Sequence, residues 1–293
     1  MFLSTLSPPA KPSAGLAGRD LAGPYELFEA GALPISLHQV SEWADAWQRM
    51  LFRVLMPIPI LTQFGIHPVR LTDPQGRRVA HLIVGDDGGA MRVEVYPAAG
   101  AADTLMEIEL RDTPFNQIEV VWVAVQDPRG PRFAIDVTED GYDTLRGTAQ
   151  RNLAAEAAAL AAGLAPGQIR RGIGQFSHLM DHLETFMLAL NRAEYVAQPL
   201  FYHTAVLFER AGFGYIQGQA RMEQIAAGFA PGGRLAGRLD GSTPFRQPTL
   251  AGSIRGRAWA IHDGILDEGW DRVKMVKRLG LHAGVDTCPG VPW

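Results

Sequence analysis

Met106-Glu107-Ile108-Glu109-Leu110-Arg111 alternates apolar and charged side chains, and past Asp112-Thr113-Pro114 the run Ile118-Glu119-Val120-Val121-Trp122-Val123-Ala124-Val125 is apolar almost throughout. Period-two alternation marks a strand with one wet face, and a continuous apolar run of this length marks a central strand. Similar β-favouring runs flank them at Val69–Leu71, Val79–Val84, Met91–Tyr96, Leu105–Leu110 and Phe133–Val137. Pro74-Gln75-Gly76, Asp86-Asp87-Gly88-Gly89 and Asp127-Pro128-Arg129-Gly130 supply turn chemistry between them. Connections this short join antiparallel neighbours. An antiparallel sheet over residues 68–137 is therefore expected.

Outward from this sheet the period changes to that of a helix. Leu37, Val40, Trp43, Trp47, Leu51 and Leu55 recur at three- and four-residue steps behind Ser36, which predicts one capped helix over 36–55. After Asp143 the chain turns helical. Leu153–Leu164 is rich in alanine, Phe176, Leu179, Met180, Leu183, Phe186, Met187 and Leu190 form one stripe, and Leu200–Ala211 ends at Gly212. A strand is expected at Phe213–Ile216, and beyond Pro231 loops around short elements such as Asp271–Leu279. The fold class is α+β, with a helix-rich second half. The expected organisation is an arm over 1–24, a β-rich region over 25–140 and a helix-rich region over 141–293, which could also form one continuous domain. Residues 4–24, mostly Ser, Pro, Ala and Gly, have too few large side chains to offset their ordering entropy and read as a flexible arm or one that docks on a second copy.

Composition narrows the function classes. The chain has 293 residues, 27 basic against 31 acidic side chains and a net charge of −4, so it lacks the basic surplus of a phosphate-backbone binder. Cys288 is the single cysteine, which removes intrachain disulfides and multi-cysteine metal sites and points to a reducing compartment. The opening Met1-Phe2-Leu3-Ser4 has no basic n-region, and no apolar run is long enough to span a bilayer. A cytoplasmic protein with a small-molecule ligand, without nucleic-acid or membrane partners and with a possible homo-oligomeric state, is the expectation.

Two segments carry the candidate chemistry. Leu164-Ala165-Pro166-Gly167-Gln168-Ile169-Arg170-Arg171-Gly172-Ile173-Gly174 leads into a helix, and such a turn can direct free backbone N–H groups at a phosphate, with Arg170 and Arg171 adding charge. The plainer reading is a helix–helix connection. Thr204-Ala205-Val206-Leu207-Phe208-Glu209-Arg210-Ala211-Gly212-Phe213 follows as helix, glycine stop and strand. Over residues 164–218 the two segments resemble the GCN5-related N-acetyltransferase superfamily, in which a glycine-rich pyrophosphate loop opens a helix and a later Ala-x-x-Leu-Tyr-Glu-x-x-Gly-Phe segment lines acyl-CoA. The resemblance implies acyl-CoA as cofactor, held by Arg170, Arg171, Gly172 and Gly174. Three departures accompany it: Ile169 stands where the family has Arg or Gln, Phe208 stands where it has a tyrosine general acid, and an Ala-rich helical segment precedes the loop where the family has a strand.

His203, beside Tyr202 on the buried side of its helix, reads as a general base or a structural hydrogen-bond node. Ala260-Ile261-His262-Asp263-Gly264 reads as a loop, in which His262 and Asp263 form a catalytic dyad if Gly264 bends the chain, or else a turn capped by the Asp side chain. The alternative from another class is a divalent-metal enzyme using His203, His262, His282 and Asp263. His178 and His182 read as surface residues. A third alternative is a non-catalytic assembly protein whose arm docks on a neighbour.

Overall fold

The computed structural model describes residues 33–293, so the arm over 1–24 lies outside the described residues. Its centre is a seven-stranded sheet in the order β1-β2-β3-β4-β5-β7-β6. β1 (Ala80–Val84), β2 (Ala90–Val95), β3 (Met106–Asp112) and β4 (Ile118–Val125) form an antiparallel meander, within one or two residues of four of the expected strands. β5 (Glu194–Ala197) lies parallel to β4, while β7 (Lys274–Arg278) is antiparallel to β5 on one side and to β6 (Gly214–Gln217) on the other. One sheet thus crosses residue 140, and one apolar core runs from Ile35 to Cys288. The protein is α+β. Among the described residues no helix is long and apolar enough to cross a membrane.

Several elements depart from the sequence reading. The helix expected over 36–55 is split into α1 (Leu37–Ser41), α2 (Asp45–Phe52) and a short 3-10 turn at Arg53–Leu55. Ser36 does cap α1, in a reciprocal capping box with Gln39. The buried Gln48 amide donates to the carbonyls of Ser41 and Trp43, which satisfies the backbone that the break exposes. Val69–Leu71 is a turn with an isolated bridge at Thr72. Phe133–Val137 makes no strand because side chains take its carbonyls: Thr144 Oγ1 donates to Ile135, and the Asn152 amide donates to Ala134 and Val137.

The remaining helices are α3 (Ile58–Gln63), α4 (Leu153–Ala161), α5 (Phe176–Ala189), α6 (Tyr202–Arg210), α7 (Gln219–Gly228) and α8 (Ile254–His262). α8 occupies a stretch read as loop; Gly256 lets it approach Leu250 so closely that an added Cβ would lie 2.3 Å from the Leu250 carbonyl oxygen. Between β4 and α5, residues 127–171 leave the sheet and return. Ile135, Ala159, Leu164 and Ile169 from this excursion join Phe245 and Trp259 in a second, smaller core.

The start of the described chain, the β3–β4 turn and the α5–β5 turn meet at Arg192. Its buried guanidinium donates to the Ile35 carbonyl at 2.6 and 2.9 Å and to the Asn116 carbonyl at 2.5 Å. Removing it leaves buried acceptors unpaired. Arg192→Ala is therefore expected to lower the unfolding free energy by about 2–4 kcal/mol in urea denaturation, and a loss below about 1 kcal/mol would show that water replaces these bonds freely.

Candidate functional site

The pairing of β4 with β5 is limited to Glu119 with Val196 and Val120 with Ala197. From Val121 to Val125 the edge of β4 facing β5 has no strand partner among the described residues, and Pro199, which lacks an N–H, turns the chain away into α6. The two parallel strands therefore diverge at their carboxyl ends, where open sheets place ligand crevices. A cleft of about 630 Å³ opens there. Its walls are β4 with Gln126, the loop from Arg170 to Ser177, the excursion around Gly163–Gln168, and α6 from His203 to Arg210, with Arg255 and Trp293 at one end.

The glycine loop singled out in the sequence lines this cleft, and its two arginines differ in their surroundings. Gly172 bridges to Gln126 and the Asp127 N–H donates to the Arg171 carbonyl at 2.8 Å, so the loop continues the line of β4 after the 127–171 excursion. The Ala-rich helix before Pro166 belongs to that excursion. Gly174 has φ +71°, a left-handed conformation that admits glycine at least cost and turns the loop into α5. Among the described residues helix α5 has no side-chain cap, and its first turn contains no acidic residue, which makes its first amides available to a ligand. Arg170 is held in place by Asp103, with N–H···O distances of 2.8 and 3.0 Å, and by the Gly130 carbonyl. Burial pushes the Asp103 carboxyl up, but hydrogen bonds from Arg170 and Arg132 outweigh it and hold the group below its usual range. Arg171 is exposed and donates only to the Ala162 carbonyl, at 3.2 Å.

Among the described residues five arginines line the cleft, Arg146, Arg170, Arg171, Arg210 and Arg255, and no aspartate or glutamate does. Arg146 reaches Glu107 at 3.4 Å and lies over the Trp122 ring. Arg210 and Arg255 donate to backbone oxygens. In a chain of net charge −4 this is a concentrated positive field, suited to an anionic ligand. Of these residues the sequence reading included only Arg170 and Arg171; Trp122, Arg146, Gln175, Arg255 and Trp293 carried no local signal.

His203 lines the cleft and is 4% exposed. Its ring stacks on Phe201 at 5.6 Å and meets Trp293 edge-on at 6.0 Å, its Nε2 lies 3.5 Å from Thr204 Oγ1, and its Nδ1 has no partner among the described residues. Burial, with the nearby His262 and Arg255, pushes its pKa down to about 3. A base that weak removes protons poorly near neutral pH. The neutral ring is instead placed to hydrogen-bond a ligand. Phe201 is fixed by Gly167, where φ is +80° and an added Cβ would lie 2.5 Å from the ring.

The other candidates stand elsewhere. Tyr202 is packed in the core, its Oη 2.7 Å from Cys288 Sγ, and burial raises its phenol above the ordinary value. His262 ends α8 and Asp263 caps it, so neither is in the expected loop. His262 Nε2 meets Glu156 Oε1 at 3.1 Å, and Asp263 is bound by Arg151, Arg246 and Thr243. His262 lies against the same Phe201 ring as His203, at 5.7 Å, but does not line the cleft. His282 is exposed and accepts the Gly284 N–H at 3.0 Å. Among the described residues no three His, Cys, Asp or Glu side chains are grouped so as to hold a metal ion. His178 is exposed, while His182 is half-buried with Nδ1 2.7 Å from the Val54 carbonyl oxygen.

His203 has a measurable consequence. Its folded pKa lies below the ordinary 6.5, so its full contribution to stability is present above pH 6.5 and is lost as pH falls toward 3. In that window the unfolded chain binds the extra proton, and unfolding free energy drops by about 1 kcal/mol per pH unit from this group. His203→Gln should remove that component of the slope in urea denaturation between about pH 6 and pH 4; an unaltered slope would mean that the folded protein already protonates this ring.

Comparison with protein-family models, with curated proteins and with solved structures gives no match for this chain.

Proposed function

We propose that the cleft between β4 and β5 binds acyl-CoA and that the protein is an acyl-CoA-dependent N-acyltransferase. The observation that carries this reading is the meeting of three features in one crevice: the unpaired edge of β4, the glycine loop opening α5, and arginines unaccompanied by lining carboxylates. A pantetheine arm has amides that can pair with the free backbone of Val121–Val125 as an added strand would. The diphosphate falls to the α5 amides and the Gly172–Gly174 turn, with Arg171 beside it.

The thioester end then lies toward Trp122 and Arg146. An amine attacks the thioester carbonyl carbon, the C–N bond forms, the C–S bond breaks, and the CoA thiolate leaves. The amine's proton needs an acceptor, and this reading assigns it to Glu107, reached through one intervening water because this residue stands behind Arg146 and not in the cleft lining. That carboxyl stands opposite Glu94 across β2 and β3, contacts Arg146, and is raised above its usual range by burial. A divalent-metal enzyme is the weaker alternative, since His262, His282 and Asp263 are engaged by separate partners and His203 alone of the four lines the cleft.

Isothermal titration with acetyl-CoA tests the reading. Wild type should bind with a micromolar Kd, while Arg171→Ala and Gly174→Val should each weaken binding by about tenfold or more. Glu107→Gln should keep the affinity and slow thiol release to primary amines by about 10²-fold. Absence of acetyl-CoA binding by folded wild type removes the proposal.

A further inference from the structure

The arginine-lined end of the cleft contains a second anion site, separate from the α5 amides. A Cβ built on Gly163 would lie 3.3 Å from Arg255 Nη1 and 3.7 Å from Arg171 Nη2, so both guanidinium groups reach the same small volume. Each donates to carbonyls of the excursion, Arg255 to Gly163 and Arg171 to Ala162. Neither has a carboxylate partner among the ion pairs of the described residues, although Arg146 and Arg170 in the same cleft each have one. Two like charges this close repel, and an anion between them would convert that repulsion into attraction.

The surroundings narrow the anion's chemistry. Trp293 lies beside the site, with Arg210 6.0 Å from its ring centre, and His203 presents an unpartnered Nδ1 in the buried wall next to it. An aromatic plane adjoining a pair of guanidinium forks suits a nucleoside phosphate better than an isolated carboxylate. The site also adjoins Gly172, where the loop leads to α5.

We infer that Arg255 and Arg171 bind a phosphomonoester on the nucleoside of the ligand, so that the cleft selects 3′-phosphorylated CoA over its dephospho form. This rests on the acyl-CoA reading for the identity of the nucleoside, whereas the anion site itself does not.

Paired isothermal titrations with CoA and dephospho-CoA separate the two. Wild type should bind CoA at least about tenfold more tightly than dephospho-CoA, a preference that Arg255→Gln reduces to about threefold or less and Arg255→Lys keeps in part. The wild-type ratio needs no variant, so misfolding of Arg255→Gln does not rescue the inference. A wild-type ratio near one, with CoA bound, overturns the phosphomonoester site and leaves the acyl-CoA reading standing. If neither nucleotide binds but inorganic phosphate changes tryptophan fluorescence in wild type and not in Arg255→Gln, the acyl-CoA reading falls and the anion site stands. No response to CoA, dephospho-CoA or phosphate removes both.

Discussion

The early end of the β4–β5 pairing governs the arrangement of everything else in the molecule. After two residue pairs the parallel strands separate, and Val121–Val125, paired with β3 on one side, has no strand partner among the described residues on the side facing β5. Unpaired strand edges are costly when buried and adhesive when exposed, so a protein that keeps one at its centre must reserve it for water or a ligand. The 127–171 excursion keeps the gap open: it leaves β4 at Asp127, builds a small core of its own around Trp259, and re-enters at Gly172. Gly163, Leu164 and Gly167 of that excursion then form a wall of the cleft, so the same segment that interrupts the sheet also encloses the site.

Electrostatics follow the same division. Glu94 and Glu107 stand directly opposite each other on β2 and β3, a like-charge pair that Arg92 and Arg146 offset. Asp103 is consumed by Arg170 and Arg132. Among the described residues no carboxylate lines the crevice, and the positive field inside comes chiefly from Arg171, Arg210 and Arg255, which donate to backbone oxygens. Glu156, His262, Arg151 and Asp263 form a separate network at the end of α8; burial raises Glu156, but His262 and Arg151 outweigh it and keep the carboxyl below its usual range. That network ties α4 to α8 and so supports the wall from behind.

The meander from β1 to β4 was legible because its determinants are local: alternation at Met106–Arg111 and turn residues at Asp86–Gly89 and Asp112–Pro114 act within a few positions. Helix α5 was legible from its stripe. β5 was not, because four residues between the Arg192 node and Pro199 carry too short a pattern, and β5 exists only through its pairing with β4 and β7. α8 was missed for the opposite reason: Ile254, Ala258, Trp259, Ala260 and Ile261 are buried all around the helix, so no amphipathic period marks it. Of the residues that line the cleft, the glycine loop and His203 had been singled out in the sequence, His203 as a base or a structural node. Arg255 and Trp293 reach the cleft only by tertiary folding, and Tyr202 was misjudged because one residue step on α6 turns its side chain from the cleft into the core.

Amide hydrogen exchange with and without saturating acetyl-CoA tests most directly that the open edge of β4 is the ligand site. The account expects added protection at Val121–Val125 and across Gly172–Ser177, with β1, β2 and α7 unchanged. Protection confined to other elements, or none while acetyl-CoA is bound, would contradict it.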